Sequence, residues 1–386
     1  MYFIKRFILE IESFPQLYFG ERKEMRIFLF CFKLQFIFIL LFVLSCNEDP
    51  TGPETSAFEW PVSTPENQGM DSQILTQAFS QANNIGYVDC ILVIRNGYIV
   101  GERYYNGFNK NIAHNVKSVS KSFLSAMTGI ALRDGHLNSL NLKMLDFFPE
   151  YIYQSIDPRK YDITIRQLLM MRMGIDHERN NYEQIYNTPN WLKTTIELPL
   201  IYDPGTRFSY NTFQTHLLSA IITKASNMST MDFAESFLLR PMNIDIAEWQ
   251  QCQQGYYFGG NNMYFTPRNM ARLGYLYING GILNGQQIVP AGWVLESLTN
   301  YTHFSNSIWG DLHNVNYGYL WWLGEINNYS VFLAIGYGGQ FVINFPDLDM
   351  IVVTTADPHL GWDTADQHER YILSIVSDYI VPAVQD

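Results

Sequence analysis

Lys117-Ser118-Val119-Ser120-Lys121-Ser122-Phe123 decides how this chain is read. It sets Ser118 three residues before Lys121 at the head of an apolar, helix-like run. A serine hydroxyl is a poor nucleophile until a base takes its proton. On a helix, positions i and i+3 share a face, so the Lys121 amine can reach the Ser118 oxygen. Burial disfavours the ammonium form and turns such a lysine into a usable base. Ser-x-x-Lys is therefore a compact nucleophile–base pair, and it occurs once in the chain. The plainer alternative is a helix N-terminus capped by Ser118. The residues that follow, Phe123, Leu124, Ala126, Met127, Ile130, Ala131 and Leu132 with Gly135 as C-cap, predict a helix buried on most sides. Two lysines at the edge of a core need a reason, and catalysis supplies one.

The bulk composition bounds the rest. The 386 residues are 47% hydrophobic, 15% aromatic and only 16% charged, enough for a large core and unlike a disordered chain. The net charge is −12, with six of the 25 Lys/Arg and four of the 37 Asp/Glu in residues 1–45. The body is thus still more acidic, which argues against nucleic-acid binding and polyanionic substrates.

The N-terminus reads as an export signal over residues 1–45, with Met25 as the natural start. Arg26 and Lys33 precede a continuous apolar run from Phe36 to Leu44, which ends at Leu44-Ser45-Cys46. That ending resembles a bacterial lipoprotein signal, with Cys46 as the lipidated first residue of the mature protein. A transmembrane anchor is the alternative, and the apolar stretch is marginal in length for one. This reading expects an exported, envelope-anchored protein, in periplasmic or surface-facing position, that contacts the membrane through its lipid. Mature protein should carry no peptide upstream of Cys46; intact mass including residues 1–24 would refute this. Residues 46–59 then form the lipidated cysteine and a Pro/Gly-rich tether. Cys90 and Cys252 remain in the body, either paired or as buried free thiols. Neither of these two cysteines falls in a metal-ligand spacing, the chain has no His-Glu-x-x-His, and no metal or organic cofactor is expected.

Residues 60–386 form the expected folded body. A helix is predicted over 72–84, and two apolar runs flank Asn96-Gly97, a strong hairpin signal. Helices are predicted at Thr164–Met171, from His216, at 266–278, at 290–299 and at about 365–380. Strands are expected at Tyr317–Gly324, Val331–Ala334, Phe341–Asn344 and Met350–Thr355. Strands at both ends and helices between imply an α+β fold. One antiparallel sheet would come from about 60–115 and 310–386, beside a mainly helical lobe of about 116–309. A cleft between the lobes is the natural site.

Acyl transfer needs a second proton-handling group and N–H donors for an oxyanion. Tyr210, after the Pro204-Gly-Thr turn, is a candidate for the first; packing at a lobe edge is its plainer role. Gly336-Tyr-Gly-Gly-Gln340 breaks two strand-like runs, which marks close backbone approach to a ligand or a tight hairpin. Trp321 and Trp322 alternate on a strand, so at most one lines the cleft. Tyr256 and Tyr257 are further candidates for lining the cleft. Asp146 and Glu150 suggest paired carboxylates, but their Phe-Phe-Pro setting favours a loop at a helix end. His114 reads as a polar turn residue. The chain has no Gly-x-Ser-x-Gly elbow, which excludes an α/β-hydrolase triad.

Ordered landmarks from about Trp60 onward resemble the serine β-lactamase-related hydrolases: class C β-lactamases, low-molecular-weight penicillin-binding proteins, related esterases and 6-aminohexanoate-dimer hydrolases. They are Ser63-Thr-Pro-Glu66 with Gln68-Gly-Met-Asp71, Ser118-Val-Ser-Lys121, Thr164-Ile-Arg-Gln-Leu-Leu, Pro204-Gly-Thr with Tyr210, Thr266-Pro-Arg-Asn-Met-Ala-Arg-Leu-Gly, Trp321-Trp322 and Gly336-Tyr-Gly-Gly-Gln. The resemblance implies a β-lactamase/transpeptidase-like fold. It implies Ser118 as acylated nucleophile, Lys121 as base and Tyr210 as proton donor to the leaving group. The N–H groups of Ser118 and Tyr337 would form the oxyanion hole, and Thr212, Gly336, Gly338 and Trp322 would contact substrate. Two positions depart from the family. Thr212 stands where its Tyr-x-Asn element has asparagine, and Ala334-Ile-Gly stands for Lys-Thr-Gly. Loss of a cation to a substrate carboxylate removes about 1.5–3 kcal/mol of binding. Both departures favour an esterase or amidase acting on a small-molecule ester or amide. A D-alanyl-D-alanine carboxypeptidase or β-lactamase is the alternative within enzymes, and a non-catalytic ligand-binding envelope lipoprotein the alternative outside them.

Overall fold

The computed structural model describes residues 58–304 and 307–385; the proposed signal, Cys46 and nearly all of the tether lie outside them. The principal elements are α1 (Ser72–Ile85), β1 (Val88–Arg95), β2 (Tyr98–Tyr104), α2 (Ser120–Arg133), α3 (Thr212–Ser226) and α4 (Pro267–Ile278). They continue with β3 (Leu312–Tyr317), β4 (Trp322–Ile326), β5 (Tyr329–Gly336), β6 (Gln340–Phe345), β7 (Met350–Ala356) and α5 (Trp362–Ile375). The central sheet runs β2-β1-β7-β6-β5-β4-β3, with Thr302–His303 beyond β3. Every pairing in it is antiparallel. N- and C-terminal segments thus meet at the β1–β7 pair, as expected.

Side chains alternate across a strand, so a sheet covered on both faces reads as continuous apolar sequence. In β1, Cys90, Leu92 and Ile94 face the core shared with the helical lobe. Ile91 and Val93 face the opposite core, beneath α1 and α5. Asn96 at φ 52 and Gly97 at φ 77 make the expected tight turn. Cys90 and Cys252 are buried free thiols.

The helix after Ser118 is buried at every residue from Ser120 to Ala131. It runs through the second lobe against α3 and residues 291–297. Ser118 itself sits in a 3-10 turn, Lys117–Val119, and does not cap α2. Thr164 caps the short helix Ile165–Leu169 with a capping box, so that segment is helical over fewer residues than expected.

One expected strand is interrupted. Tyr317–Gly324 is not continuous: Gly318–Trp321 form the turn between β3 and β4. Leu320 takes φ 62 there, and Gly318 lies so close to the Ser297 carbonyl that no Cβ would fit. The apolar run concealed the turn because Tyr319, Leu320 and Trp321 are all buried against the helical lobe.

Gly336, the last residue of β5, meets the segment before Ser118 in the same way. A Cβ on it would stand 2.3 Å from the Val116 carbonyl oxygen. Gly336→Ala must move backbone from backbone and should cost about 1–3 kcal/mol. We expect a lower melting temperature; an unchanged melt would show that β5 yields freely.

Candidate active site

Three segments converge at one end of the sheet. The first is the turn at Ser118. Lys117, immediately before it, has φ 48, a left-handed conformation rare outside glycine. Its N–H donates to Asn115 Oδ1 at 3.0 Å and its carbonyl accepts from Ser120 Oγ at 2.7 Å. Neighbouring side chains thereby hold a backbone conformation that costs of order 1–3 kcal/mol.

Lys121 is buried, and its Nζ lies 2.7 Å from Ser118 Oγ, 3.0 Å from Thr212 Oγ1 and 2.8 Å from the Gly260 carbonyl oxygen. Burial lowers its pKa to about 8, although the Glu178 carboxylate pulls it upward. A neutral amine has two N–H groups and one lone pair. With the N–H groups given to Thr212 and Gly260, the lone pair is left for the Ser118 hydroxyl.

The second segment is Tyr210-Asn-Thr, at the start of α3. Asn211 caps the helix by accepting from Phe213 N–H at 2.9 Å. Glu178 Oε2 accepts from Thr212 N–H at 2.8 Å, placing a carboxylate at the positive helix end. Glu178 N–H donates to the Tyr210 carbonyl at 3.0 Å, and Asn211 Nδ2 donates to Asp176 O and Asn181 Oδ1. The 176–181 loop and Tyr210 therefore fix one another. The Tyr210 ring lies beneath Lys121 Nζ, 4.9 Å from its centroid, and stacks on Trp322 at 5.8 Å. Burial first, then Glu178, drive the Tyr210 pKa far up; hydrogen bonding with the Ser118 side chain opposes them. At neutral pH Tyr210 is therefore a neutral phenol that still holds its proton.

The third segment is the turn from β5 to β6. The Tyr337 N–H has no hydrogen-bond acceptor among the described residues. Tyr337 Oη donates to the Leu360 carbonyl at 2.6 Å, and Gly338 N–H donates to Glu369 Oε1 at 2.7 Å. Ser118 and Tyr337 line the same cleft, a cavity of about 540 Å³ with Tyr210, Trp322, Ile335 and Glu369 among its walls.

The expected residues are thus brought together, with differences of detail. Thr212 holds Lys121, and it borders a second, smaller part of the cleft beside Ser118. Gly338 gives its N–H to Glu369, and Gly336 is packed against Val116 instead of lining the cavity. Trp322 lines the cleft, while Trp321 is fully buried. Tyr256 and Tyr257 lie away from it, against the helical core. Glu150 pairs with Lys224 at the surface, outside the cleft. His114 is not a turn residue. It is buried in a short strand, stacked on Phe108 and 3.8 Å from Asp89, and burial lowers its pKa to about 4. Glu178, Arg179, Trp362 and Glu369 line the cleft and were not singled out from sequence.

A sheet of this topology, with a Ser-x-x-Lys helix and a tyrosine facing it across a cleft, defines the β-lactamase/transpeptidase-like fold class. The sequence model of the Beta-lactamase family matches residues 76–374, and the chain belongs to that family. A 6-aminohexanoate-dimer hydrolase of Paenarthrobacter ureafaciens is 24% identical over 287 residues, covering 69% of this chain and 71% of that one. Among solved structures, a family VIII carboxylesterase superposes with a TM-score of 0.61 at 16% identity, covering 78% of this chain and 96% of its own. A penicillin-binding protein from Bacillus halodurans superposes with a TM-score of 0.59 at 15% identity, covering 78% and 99%. The protein is therefore a β-lactamase-family hydrolase.

Proposed function

We propose that the protein hydrolyses ester or amide bonds through an acyl-enzyme on Ser118. The observation that carries this is the buried Lys121 amine 2.7 Å from the Ser118 hydroxyl, where burial lowers its pKa to about 8. Lys121 takes the Ser118 proton as Oγ attacks the carbonyl. The N–H groups of Ser118 and Tyr337 stabilise the oxyanion. Tyr210 gives its proton to the departing alcohol or amine, and the Lys121 ammonium over its ring, 4.9 Å from the centroid, balances the phenolate until that phenolate takes a proton from the attacking water and Lys121 returns its own to Ser118 Oγ. Water then attacks the acyl-enzyme with the same groups acting in reverse.

The cleft favours uncharged acyl groups. Trp309, Phe208, Tyr210, Trp322 and Ile335 line it. Ala334, read from the sequence as standing where the family has its lysine, is a buried small residue. The one arginine along this wall, Arg179, lies over Trp362 at 4.8 Å and interacts with Asp366 and Glu369. We therefore expect short p-nitrophenyl esters and small amides to turn over well ahead of nitrocefin. Rapid nitrocefin turnover, or stable labelling by a fluorescent penicillin, would instead favour the β-lactamase or D-alanyl-D-alanine peptidase reading. The lipid-anchored envelope location remains part of the proposal, on the strength of the 25–46 segment.

A further inference from the structure

Glu369 is a carboxylate at a core position of α5, 7% exposed, between Ala365 and Ile372 on the helix's buried side. A buried carboxylate needs a partner. Its Oε1 accepts from the Gly338 N–H at 2.7 Å, and the side chain also lines the cleft that holds Ser118 and Tyr210. Gly338 directly follows Tyr337, and at φ 85 its backbone has no room for a Cβ, which would stand 2.5 Å from the Asp357 carbonyl. The turn is tied on its other sides by Tyr337 Oη to Leu360 O and by Thr354 Oγ1 to Gly339 O at 2.8 Å. Glu369 alone among these ties can change charge in the neutral range.

We propose that Glu369 is a positioning residue for acyl transfer: its carboxylate, through the Gly338 N–H, holds the 337–339 turn so that the Tyr337 N–H points at the developing oxyanion. This rests on the acyl-transfer reading above. A hydrogen bond to an ionised acceptor is roughly twice as strong as one to a neutral acceptor. Protonation therefore slackens the turn. Burial is the chief cause that lifts the Glu369 pKa, to about 7. Asp366 on the same helix adds to this; the Gly338 hydrogen bond, Arg179 from the 176–181 loop and Arg370 oppose it. Tyr337 and Tyr210 are the other titratable groups that feel its charge. The carboxylate is ionised above about pH 7, so the turn is held firmly there and released below.

The test is a pH–rate profile of the full chain on a p-nitrophenyl ester for wild type, Glu369→Gln and Glu369→Ala, with thermal melts and with Ser118→Ala as the control. Loss of turnover in Ser118→Ala establishes the parent reading independently of Glu369. In wild type, log kcat/KM should fall with a slope near one below about pH 8, where Lys121 protonates, with an additional step of up to about ten-fold through about pH 7 as Glu369 protonates. Glu369→Gln offers Gly338 only a neutral acceptor, so at every pH it should match the slackened, protonated wild type, with reduced kcat and no step near pH 7. Glu369→Ala should lose about ten-fold in kcat with KM little changed, the mark of an interaction made in the transition state. A step near pH 7 that persists in Glu369→Gln, or a kcat in folded Glu369→Ala equal to wild type, would overturn the proposal.

Discussion

Ser118→Ala is expected to lower turnover by at least about 10³-fold while leaving the melting temperature within about a degree or two. The first expectation follows because the remaining groups have no atom to acylate, and loss of a nucleophile in a coupled catalytic unit removes most of its rate advantage. The second follows because the hydroxyl's contacts lie at the edge of the cleft: it meets Lys121 at 2.7 Å, and the lysine keeps Thr212 and Gly260. Hydrolysis of p-nitrophenyl acetate and a thermal melt measure both. A folded Ser118→Ala protein that turns over undiminished would remove Ser118 from the mechanism.

Replacement of Lys121 should come next in size. General-base catalysis contributes typically 10²–10⁴-fold, so Lys121→Met should lose about that in kcat/KM. Wild-type kcat/KM should rise with pH and level off above about 8, because burial lowers the lysine's pKa and the neutral amine is the active form. The stability consequence has a definite sign. With a folded pKa below that of the unfolded chain, the unfolded state binds more protons between the two values, so wild-type stability should rise from about pH 8 to pH 10.5 through this group. Lys121→Met should lose that rise. Chemical denaturation at pH 7.5 and pH 10 distinguishes the two, and an equal rise in the variant would assign it to other groups. Lys121→Arg should not rescue activity, since a guanidinium does not release its proton in this range.

Much of this site was legible in sequence because its central pair is local. Ser118 and Lys121 are one turn apart, so helix geometry alone brings them together. The Asn96-Gly97 turn and the two-faced apolar strands likewise follow from short-range rules. The remaining groups meet through distant parts of the chain. Gly260 contributes a carbonyl oxygen, which every residue possesses, and it reaches Lys121 across 139 positions. Glu178 sits in a charged loop whose role depends on where α3 begins. Glu369 did leave a signal, a carboxylate on the apolar face of an amphipathic helix beside Ala365, Ile372 and Leu373. His114 was misread because polarity suggests exposure, whereas Asp89 and Thr355 surround it inside the fold. The Tyr317–Gly324 run reads as one strand because Tyr319, Leu320 and Trp321, in the turn that interrupts it, are buried against the helical lobe and so keep the segment apolar without sheet pairing.

The most direct test is treatment of the folded body, residues 47–386, with a fluorophosphonate probe, followed by peptide mapping by mass, beside Ser118→Ala. A single adduct on the peptide that carries Ser118, absent from the variant, is the predicted result. An adduct on another residue, or none on well-folded protein that a small, unhindered probe also fails to label, would contradict an activated serine at this position.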